Sequence, residues 1–377
     1  MAINLRRLCK LNISLANNIL LKPSFINVGC RSLYSERDIG VTAYENTRFT
    51  FRNQFMTIED TFRAKMKEVC EQGDGVIYTE DLKAMLHLVQ DTDEDMDLLV
   101  NMLEKYVQIK SEQKLGTYVF GPVVMRMFYY LNQPQRALAV FENDLLTENF
   151  QYRSSFRALL CLLYKHHMYK EMRFVFDRVL NLRGIDFIGR NSVLIYASCL
   201  KENTQESYEF ALKVWKKEFS IAKPSMRSTS MMACLATKQN AAETALEILS
   251  LADRDRSISI RSLKVMAYTT LRRYLQIIPI LKQALEHTDN GAYRPLFFAN
   301  VINELEQKLQ QETISEKEDL LKLIQLLKTQ EQLDNQMTLE EFLFKPINLV
   351  HRNTSLQKDL KLKNRFELQK IGVKNYL

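Results

Sequence analysis

Positively charged side chains form the pattern in this sequence that could most readily bind a ligand. They lie close together in two clusters: Lys165, Lys170 and Arg173, and Arg254, Arg256 and Arg261. Such side chains can contact the phosphates of a nucleic acid, or they can be solvated charges that complement the dipole at helix ends. Both interpretations are open for each cluster taken alone. Because basic clusters recur at a nearly regular spacing along the chain, RNA contact is favoured for the set.

The other residues that could do chemistry lack a necessary partner or spacing. His166 and His167 are adjacent, so on a helix they point about 100° apart and are poorly placed to chelate one metal ion. The acidic run 91–97 has Met where a calcium loop requires Gly and the final Glu. Residues 73–75 lack the third glycine of a dinucleotide-binding loop. We therefore predict a protein that is not an enzyme and has no metal or cofactor.

A pattern repeated about four times between residues 117 and 257 would position the basic clusters. Its apolar anchors are Phe141, Phe176, Trp215 and Leu249, which recur at nearly equal intervals. These intervals match a helix–turn–helix unit of about 34 residues, which is typical of an α-solenoid, in which each unit buries its apolar face against its neighbours. The sequence therefore predicts an all-α solenoid of helix–turn–helix repeats with extra C-terminal helices, and buried aromatic anchors on the second helix of each pair.

Composition and periodicity divide the chain into five predicted segments. Residues 1–34 are a presequence, 35–56 a linker, 57–290 the helical-repeat solenoid, 291–345 capping helices that close its open end, and 346–377 a basic tail. No uncharged apolar run is long enough for a membrane span. We therefore expect no membrane-spanning segment.

The segment 1–34 has the character of a mitochondrial targeting sequence. It carries five basic residues and no acid, and leucines recur in it at helical spacing. Residues 31–35 resemble a processing site. We expect the chain to be imported into the mitochondrial matrix, and to fold without residues 1–34.

The distribution of charge limits any nucleic-acid surface to local patches. The net charge is +7, but the segments 1–34 and 351–377 each contribute +5, so the segment 35–350 carries −3. A uniformly basic coat is therefore excluded.

The repeats, together with the stretches 78–88 (YTEDLKAMLHL) and 117–127 (TYVFGPVVMRM), resemble the pentatricopeptide repeat family. The resemblance covers residues 45–290. It implies a right-handed α-solenoid and a non-catalytic mitochondrial protein that takes part in RNA maturation by binding a single-stranded transcript, with other RNA-processing proteins as possible partners.

In this family, a side chain near the start of each first helix reads one base together with the last residue of the repeat. Alignment on the anchors assigns the first role to Pro122, Arg157, Ser192 and Ser230. The second role falls to Tyr152, Phe187, Ser225 and Ser257. Among these, only Ser192 and Ser230 match the residue types that the family uses. Tyr152 and Phe187 could stack on bases, or they could pack between repeats.

Two functions from different classes follow from these patterns. The first is RNA binding through the basic clusters and the base-reading positions. The alternative is a protein–protein scaffold or a subunit of a mitochondrial ribonucleoprotein assembly, for example one associated with the ribosome. The −3 charge of the central part favours the scaffold, whereas the clusters and the resemblance favour RNA.

Overall fold

The computed structural model describes residues 32–72, 75–108, 118–252, 257–286, 295–312 and 314–347. Within these ranges the chain is helical except for turns and two strands of two residues each. The predicted all-α class is therefore confirmed. Arg254 and Arg256, residues 1–31 and the basic tail beyond residue 347 lie outside the described residues.

The helices before the repeats are α1 Glu36–Ile39, α2 Val41–Phe55, α3 Glu59–Glu71, α4 Thr79–Leu88 and α5 Asp93–Gln108. The repeats follow as pairs of a first and a second helix. These helices are α6 Gly121–Leu131, α7 Pro134–Glu142, α8 Arg153–Lys165, α9 Tyr169–Ile188, α10 Ser192–Glu202, α11 Gln205–Phe219, α12 Met226–Lys238, α13 Ala242–Ser250, α14 Ile258–Thr270 and α15 Ile277–Glu286. Short 3₁₀ turns lie at Asp144–Phe150, Gly189–Asn191 and Tyr274–Gln276.

The predicted anchors lie inside the protein, on the second helices. Phe176 and Leu249 are fully buried, and Phe141 and Trp215 are nearly so. Each first helix packs against the first helix of the next pair, as α8 does on α6 and α12 on α10. The apolar face of one pair is thus covered by its neighbours, which is the arrangement expected of a helical-repeat solenoid.

The turn inside each pair contains one residue in the left-handed backbone conformation. These residues are Asn132, His167, Asn203, Asn240 and Arg272, with φ between 50° and 60°. In four of the turns the next amide donates to a carbonyl five residues earlier, for example Ala241 to Ala236 at 2.8 Å. This bond satisfies carbonyls that the helix end leaves free. Asn suits the position because it tolerates this conformation better than most residues.

Ion pairs connect the helix pairs at intervals close to the repeat length. Arg178 pairs with Asp144 at 2.7 Å, and Lys213 pairs with Asp177 at 2.9 Å. Arg273 likewise contacts Glu243. Some of the basic residues that recur along the chain therefore make contacts between neighbouring repeats.

The prediction of a linker at residues 35–56 is wrong, because these residues form α1 and α2. Tyr44 is buried on α2 and donates from its hydroxyl to the carbonyl of Leu86 at 2.7 Å. Arg48 donates to the carbonyl of His87 at 3.0 Å. A linker was expected because this stretch has no clear apolar period, and two of its buried side chains, Tyr44 and Arg48, bind carbonyls of the distant helix α4.

The C-terminal elements do more than cap the stack. Strand β1 Phe297–Phe298 pairs in parallel with β2 Leu333–Asp334, beside helices α16 Ala299–Gln311 and α17 Lys317–Thr329. Helices α16 and α17 pack on α14 and α15.

The final described helix, α18 Leu339–Leu343, instead packs back on α12. The segment after it reaches the N-terminal segment, where the amide of Ile347 donates to the carbonyl of Leu33 at 2.7 Å. In the part of the chain that the structure describes, no helix is long and apolar enough to cross a membrane.

Candidate nucleic-acid interface

Each helix pair has two edges, and the predicted site residues divide between them. We call the segments that join one pair to the next, residues 143–152, 189–191 and 220–225, the junction edge. The turns inside the pairs form the turn edge. Helix α8 begins at the junction edge and ends at the turn edge, 13 residues later. At 1.5 Å per residue the two edges are roughly 20 Å apart.

A cavity of about 720 Å³ opens at the junction edge between two successive helix pairs. Ser192 and Ser225, both assigned to base reading, contribute to its lining. The cationic side chains of Lys223 and Arg227 also line it. The structure therefore brings together, in one cavity, Ser192, assigned to read a base from the first helix, and Ser225, assigned to the end of the same repeat.

A carboxylate forms the polar centre of this cavity. Glu218, near the end of α11, accepts hydrogen bonds from Ser192 Oγ at 3.0 Å and from the Tyr196 hydroxyl at 2.8 Å. Burial raises the pKa of Glu218, and the two donated hydrogen bonds oppose this shift. Burial and the neighbouring carboxylate raise the pKa of Tyr196, so its hydroxyl keeps its proton and acts as a donor.

Both terminal segments supply the outer wall of the cavity through Tyr34, Pro346 and Ile347. Arginines on first helices hold these segments in place. The Arg157 guanidinium lies 5.2 Å from the centre of the Tyr34 ring, and Arg227 donates to the carbonyls of Phe342 and Lys345. Part of the first-helix face is thus covered by the protein's own chain.

Comparison with curated proteins shows which known group has a similar sequence. The chain is 24% identical to a protein of Pongo abelii over 281 residues, which are 74% of this chain and 73% of that protein. It is 23% identical to a Homo sapiens protein and 24% identical to a Danio rerio protein, each over 74% of this chain and 72% of the relative.

All three relatives are named pentatricopeptide repeat-containing protein 2, mitochondrial. The chain is similar to this group of pentatricopeptide repeat proteins. The resemblance stated from the repeats is therefore confirmed, and the relatives' names agree with the predicted mitochondrial location. No protein-family model matches the chain, and no solved structure matches it significantly.

The positions that the pentatricopeptide resemblance assigns to base reading are not equally accessible. Ser230 is buried, and its hydroxyl contacts that of Ser259 at 3.3 Å. Ser192 is also buried and is bound to Glu218. Ser225 is exposed, but its oxygen accepts from the amide of Ser228 at 3.1 Å and so caps α12. The two buried serines are placed to hold their neighbours rather than to touch a base directly.

The two aromatic candidates lie at the junction edge in different surroundings. Tyr152 precedes α8 and is 48% exposed, so much of its side chain is open to solvent. Phe187 is half-buried, with its ring 6.4 Å from that of Phe156 and the Arg153 guanidinium 6.0 Å from its centre. Packing against α8, within the same helix pair, therefore accounts for Phe187, whereas about half of the Tyr152 side chain stays exposed.

The first basic cluster lies at the turn edge, away from the cavity. Lys165 lies 5.1 Å from the centre of the Tyr129 ring, and Lys170 is exposed. Arg173 is buried and forms ion pairs with Glu202 and Glu206. An Arg with two carboxylate partners joins one pair to the next, so the structure gives Arg173 an architectural role and leaves Lys170 as the exposed cation of this cluster.

Of the second predicted cluster, the structure describes only Arg261. This residue lies in the first turn of α14, is partly exposed and makes contacts within the protein. A test of this cluster therefore depends on binding measurements.

Sequence reasoning missed three residues that shape the cavity: Tyr34, Glu218 and Arg227. Arg227 lies three residues before Ser230, the position that the alignment matches to Arg157, so the repeat register did not mark it. Nor does the register mark Glu218, whose partners become neighbours only after folding.

Proposed function

We propose that this chain is a mitochondrial RNA-binding helical-repeat protein that takes part in RNA maturation in the matrix without catalysing a reaction. The cavity at the junction edge carries the proposal, because Ser192, Ser225, Lys223 and Arg227 meet there. Helices α10 and α12 also begin beside it, and helix N-termini favour phosphate groups. The names of the similar proteins support the mitochondrial setting.

The proposed RNA path follows the junction edge rather than the whole first-helix face. The terminal segments lie across α8 and α12, where Tyr34 contacts Arg157 and α18 packs on α12. A strand at the junction edge would pass the exposed Tyr152 and the cavity without displacing these segments. Contacts there would be few, which is consistent with the weakly acidic central part of the chain.

A salt titration of RNA binding tests this proposal. The full chain is titrated with labelled single-stranded mitochondrial transcripts at several salt concentrations. Each phosphate contact adds roughly 0.7 to the slope of log affinity against log salt for single strands. Lys223→Ala should lower the slope by about this amount, whereas Lys322→Ala, an exposed lysine on α17, should leave it unchanged.

Absence of salt-dependent binding by the unmodified chain would refute the RNA proposal. Equal slopes for Lys223→Ala and the unmodified chain would place the strand elsewhere on the surface. Import is tested separately, since a chain without residues 1–31 should stay in the cytosol if that segment targets the protein.

A protein–protein scaffold is the alternative, and a separate observation favours it. Phe174 and Leu182 on α9 are 57% and 62% exposed, on a second helix. Exposed apolar side chains of this size fit a protein surface better than a phosphate backbone. If Phe174→Glu and Leu182→Glu together release the protein from a large mitochondrial complex, and no RNA is bound, the scaffold replaces the RNA proposal.

A further inference from the structure

The cavity contains a carboxylate that the repeat pattern does not assign to base reading. Glu218 lines the cavity, and its two carboxylate oxygens each accept one hydrogen bond from inside the protein. Each carboxylate oxygen has two lone pairs, so each retains capacity for a further donor. The carboxylate thus offers two acceptors side by side to a ligand in the cavity.

The remaining walls suit a flat and largely apolar group. Ile185, Val193, Ile221 and Ile347 supply aliphatic surface, and bases taken out of a strand pack between apolar side chains of this kind. The volume of about 720 Å³ lies within the range of roughly 300–1,000 Å³ that is typical of small-molecule sites. Lys223, Arg227 and the carboxylate of Asp186 also line the cavity, and the two cations can attract the phosphate attached to such a base.

The four RNA bases differ in the donors that they can present to a carboxylate. Guanine has two adjacent donors on its Watson–Crick edge, the ring N1–H and the exocyclic N2 amino group. Adenine and cytosine each place a ring acceptor beside their amino group, and uracil flanks its single donor with two carbonyl oxygens. A pair of acceptors therefore matches guanine and meets a repelling lone pair on each of the other three.

We propose that the cavity between the α9–α10 and α11–α12 junctions binds a single guanine base, with Glu218 accepting hydrogen bonds from its N1–H and N2 amino groups. This inference rests on the proposed RNA binding and names the base that the site prefers. Ser192 and Tyr196 act as positioning residues, because their hydroxyls hold the carboxylate that meets the base. The selectivity thus comes from the end of a second helix, outside the positions assigned to base reading.

The first measurement compares four labelled octamers that are uridine except for one central G, A, C or U. The full chain should bind the G octamer roughly tenfold or more tightly than the others, since one bidentate pair discriminates by about this factor. Glu218→Gln replaces one acceptor by a donor and should abolish this preference. The amide matches the donor–acceptor edges of adenine and cytosine, so the variant should shift its preference toward the A and C octamers.

The matched control is Glu209→Gln, which makes the same chemical change on an exposed face of α11. It should keep the full preference for guanine. Circular dichroism and thermal melting of both variants check that Glu218→Gln is folded. If Glu218→Gln does not fold, Ser192→Ala, which removes one positioning hydroxyl, should reduce the preference and serves as the second variant.

Competition with free guanosine and adenosine monophosphates separates failure of this inference from failure of RNA binding. Equal, salt-dependent binding of all four octamers would overturn the guanine site and leave RNA binding intact. Binding of guanosine monophosphate that depends on Glu218, without binding of any octamer, would support the guanine site and overturn RNA binding. Binding of neither nucleotide nor RNA would overturn both.

Discussion

The guanidinium of Arg157 covers the ring of Tyr34, with 5.2 Å between the guanidinium carbon and the ring centre. Arg157 stands at a position that the pentatricopeptide resemblance assigns to base reading. Tyr34 is the last residue of the segment predicted to be removed as a presequence. This contact bears on both expectations. Arg157, which was assigned to read a base, contacts the protein's own Tyr34, and Tyr34, which was expected to be removed, is buried in the folded chain.

The first prediction concerns the start of the folded chain. A chain that begins at Ser32 should be as stable as the full chain, whereas one that begins at Ser35 loses the buried side chains of Leu33 and Tyr34. By comparison with large-to-small core substitutions, this loss should cost about 3 kcal/mol or more of unfolding free energy. Urea denaturation followed by circular dichroism measures the difference. Equal midpoints for the two chains would contradict the packing described for these residues.

The second prediction concerns a repeat anchor. Trp215 is nearly buried, and its ring packs 6.2 Å from that of Tyr196. Trp215→Ala should lower the unfolding free energy by about 3–5 kcal/mol. Since neighbouring units stabilise one another, hydrogen exchange should also accelerate in α9 and α13. Phe174→Ala, an exposed aromatic on α9, is the control and should change stability by less than about 0.5 kcal/mol.

The third prediction separates the two roles within one basic cluster. Arg173→Ala leaves Glu202 without its cationic partner in a mostly buried position, which should cost about 2–4 kcal/mol of stability. It should not alter the salt dependence of RNA binding under conditions where the variant is folded. Lys170→Ala should not change stability measurably, because the side chain is exposed. A reduced salt slope for Arg173→Ala with unchanged melting would reverse this assignment.

The fourth prediction concerns stacking at the junction edge. Tyr152→Leu keeps most of the apolar area but removes the aromatic face, so RNA affinity should fall by about 1–3 kcal/mol if a base stacks there. Phe174→Leu makes a comparable change far from the junction edge and should leave RNA affinity unchanged. Binding titrations at constant salt compare the two variants. An unchanged affinity for Tyr152→Leu would remove this residue from the RNA path.

The fifth prediction concerns acid sensitivity of the N-terminal helices. His87 stacks between Tyr44 and Phe51, with ring-centre distances of 5.1 and 4.8 Å, and its Nδ1 donates to the carbonyl of Lys83 at 2.7 Å. Burial lowers the pKa of His87, the hydrogen bond to the Lys83 carbonyl partly opposes this shift, and the nearby Arg48 charge adds to it. The unfolded chain therefore binds the proton first, and stability should decrease as the pH falls below about 6.5.

His87→Phe tests this pH dependence because it retains the aromatic stack without a titrating group. The difference in unfolding free energy between the two proteins should grow steadily more favourable to the variant from pH 7 to pH 5. Other titrating groups, including Glu218, are common to both proteins and cancel in the comparison. A difference that is constant with pH would show that His87 does not titrate in this way.

The repeats were predictable from the sequence because their stabilising contacts are local and periodic. Phe141, Phe176 and Trp215 recur at similar intervals, and each lies on a helix whose apolar face must be covered. The cavity was not predictable for the opposite reason. Tyr34 and Glu218 are far apart in the sequence, and no local pattern links them. Ser192 was predicted from the sequence and lines the cavity, but its burial and its hydrogen bond to Glu218 depend on packing between helix pairs.

The predicted linker failed for a similar reason. Helix α2 has few buried residues, and two of them, Tyr44 and Arg48, are polar groups that bind carbonyls at the end of α4. Hydrophobic periodicity does not predict a helix that is stabilised by hydrogen bonds to a distant helix. The packing of α18 on α12 was missed because no local pattern links two helices that lie so far apart in the sequence.

The hydrogen bond from Ile347 to Leu33 also sets an order of assembly. An open stack of repeats can form progressively as the chain leaves the ribosome or a translocation channel, because each unit needs only its neighbours. In this protein Leu33 can form its hydrogen bond only after Ile347 has been synthesised, and Ile347 follows all of the repeats in the sequence. A chain still being synthesised would therefore carry folded repeats but an incomplete cavity wall, which closes only when the segment around Ile347 reaches Leu33.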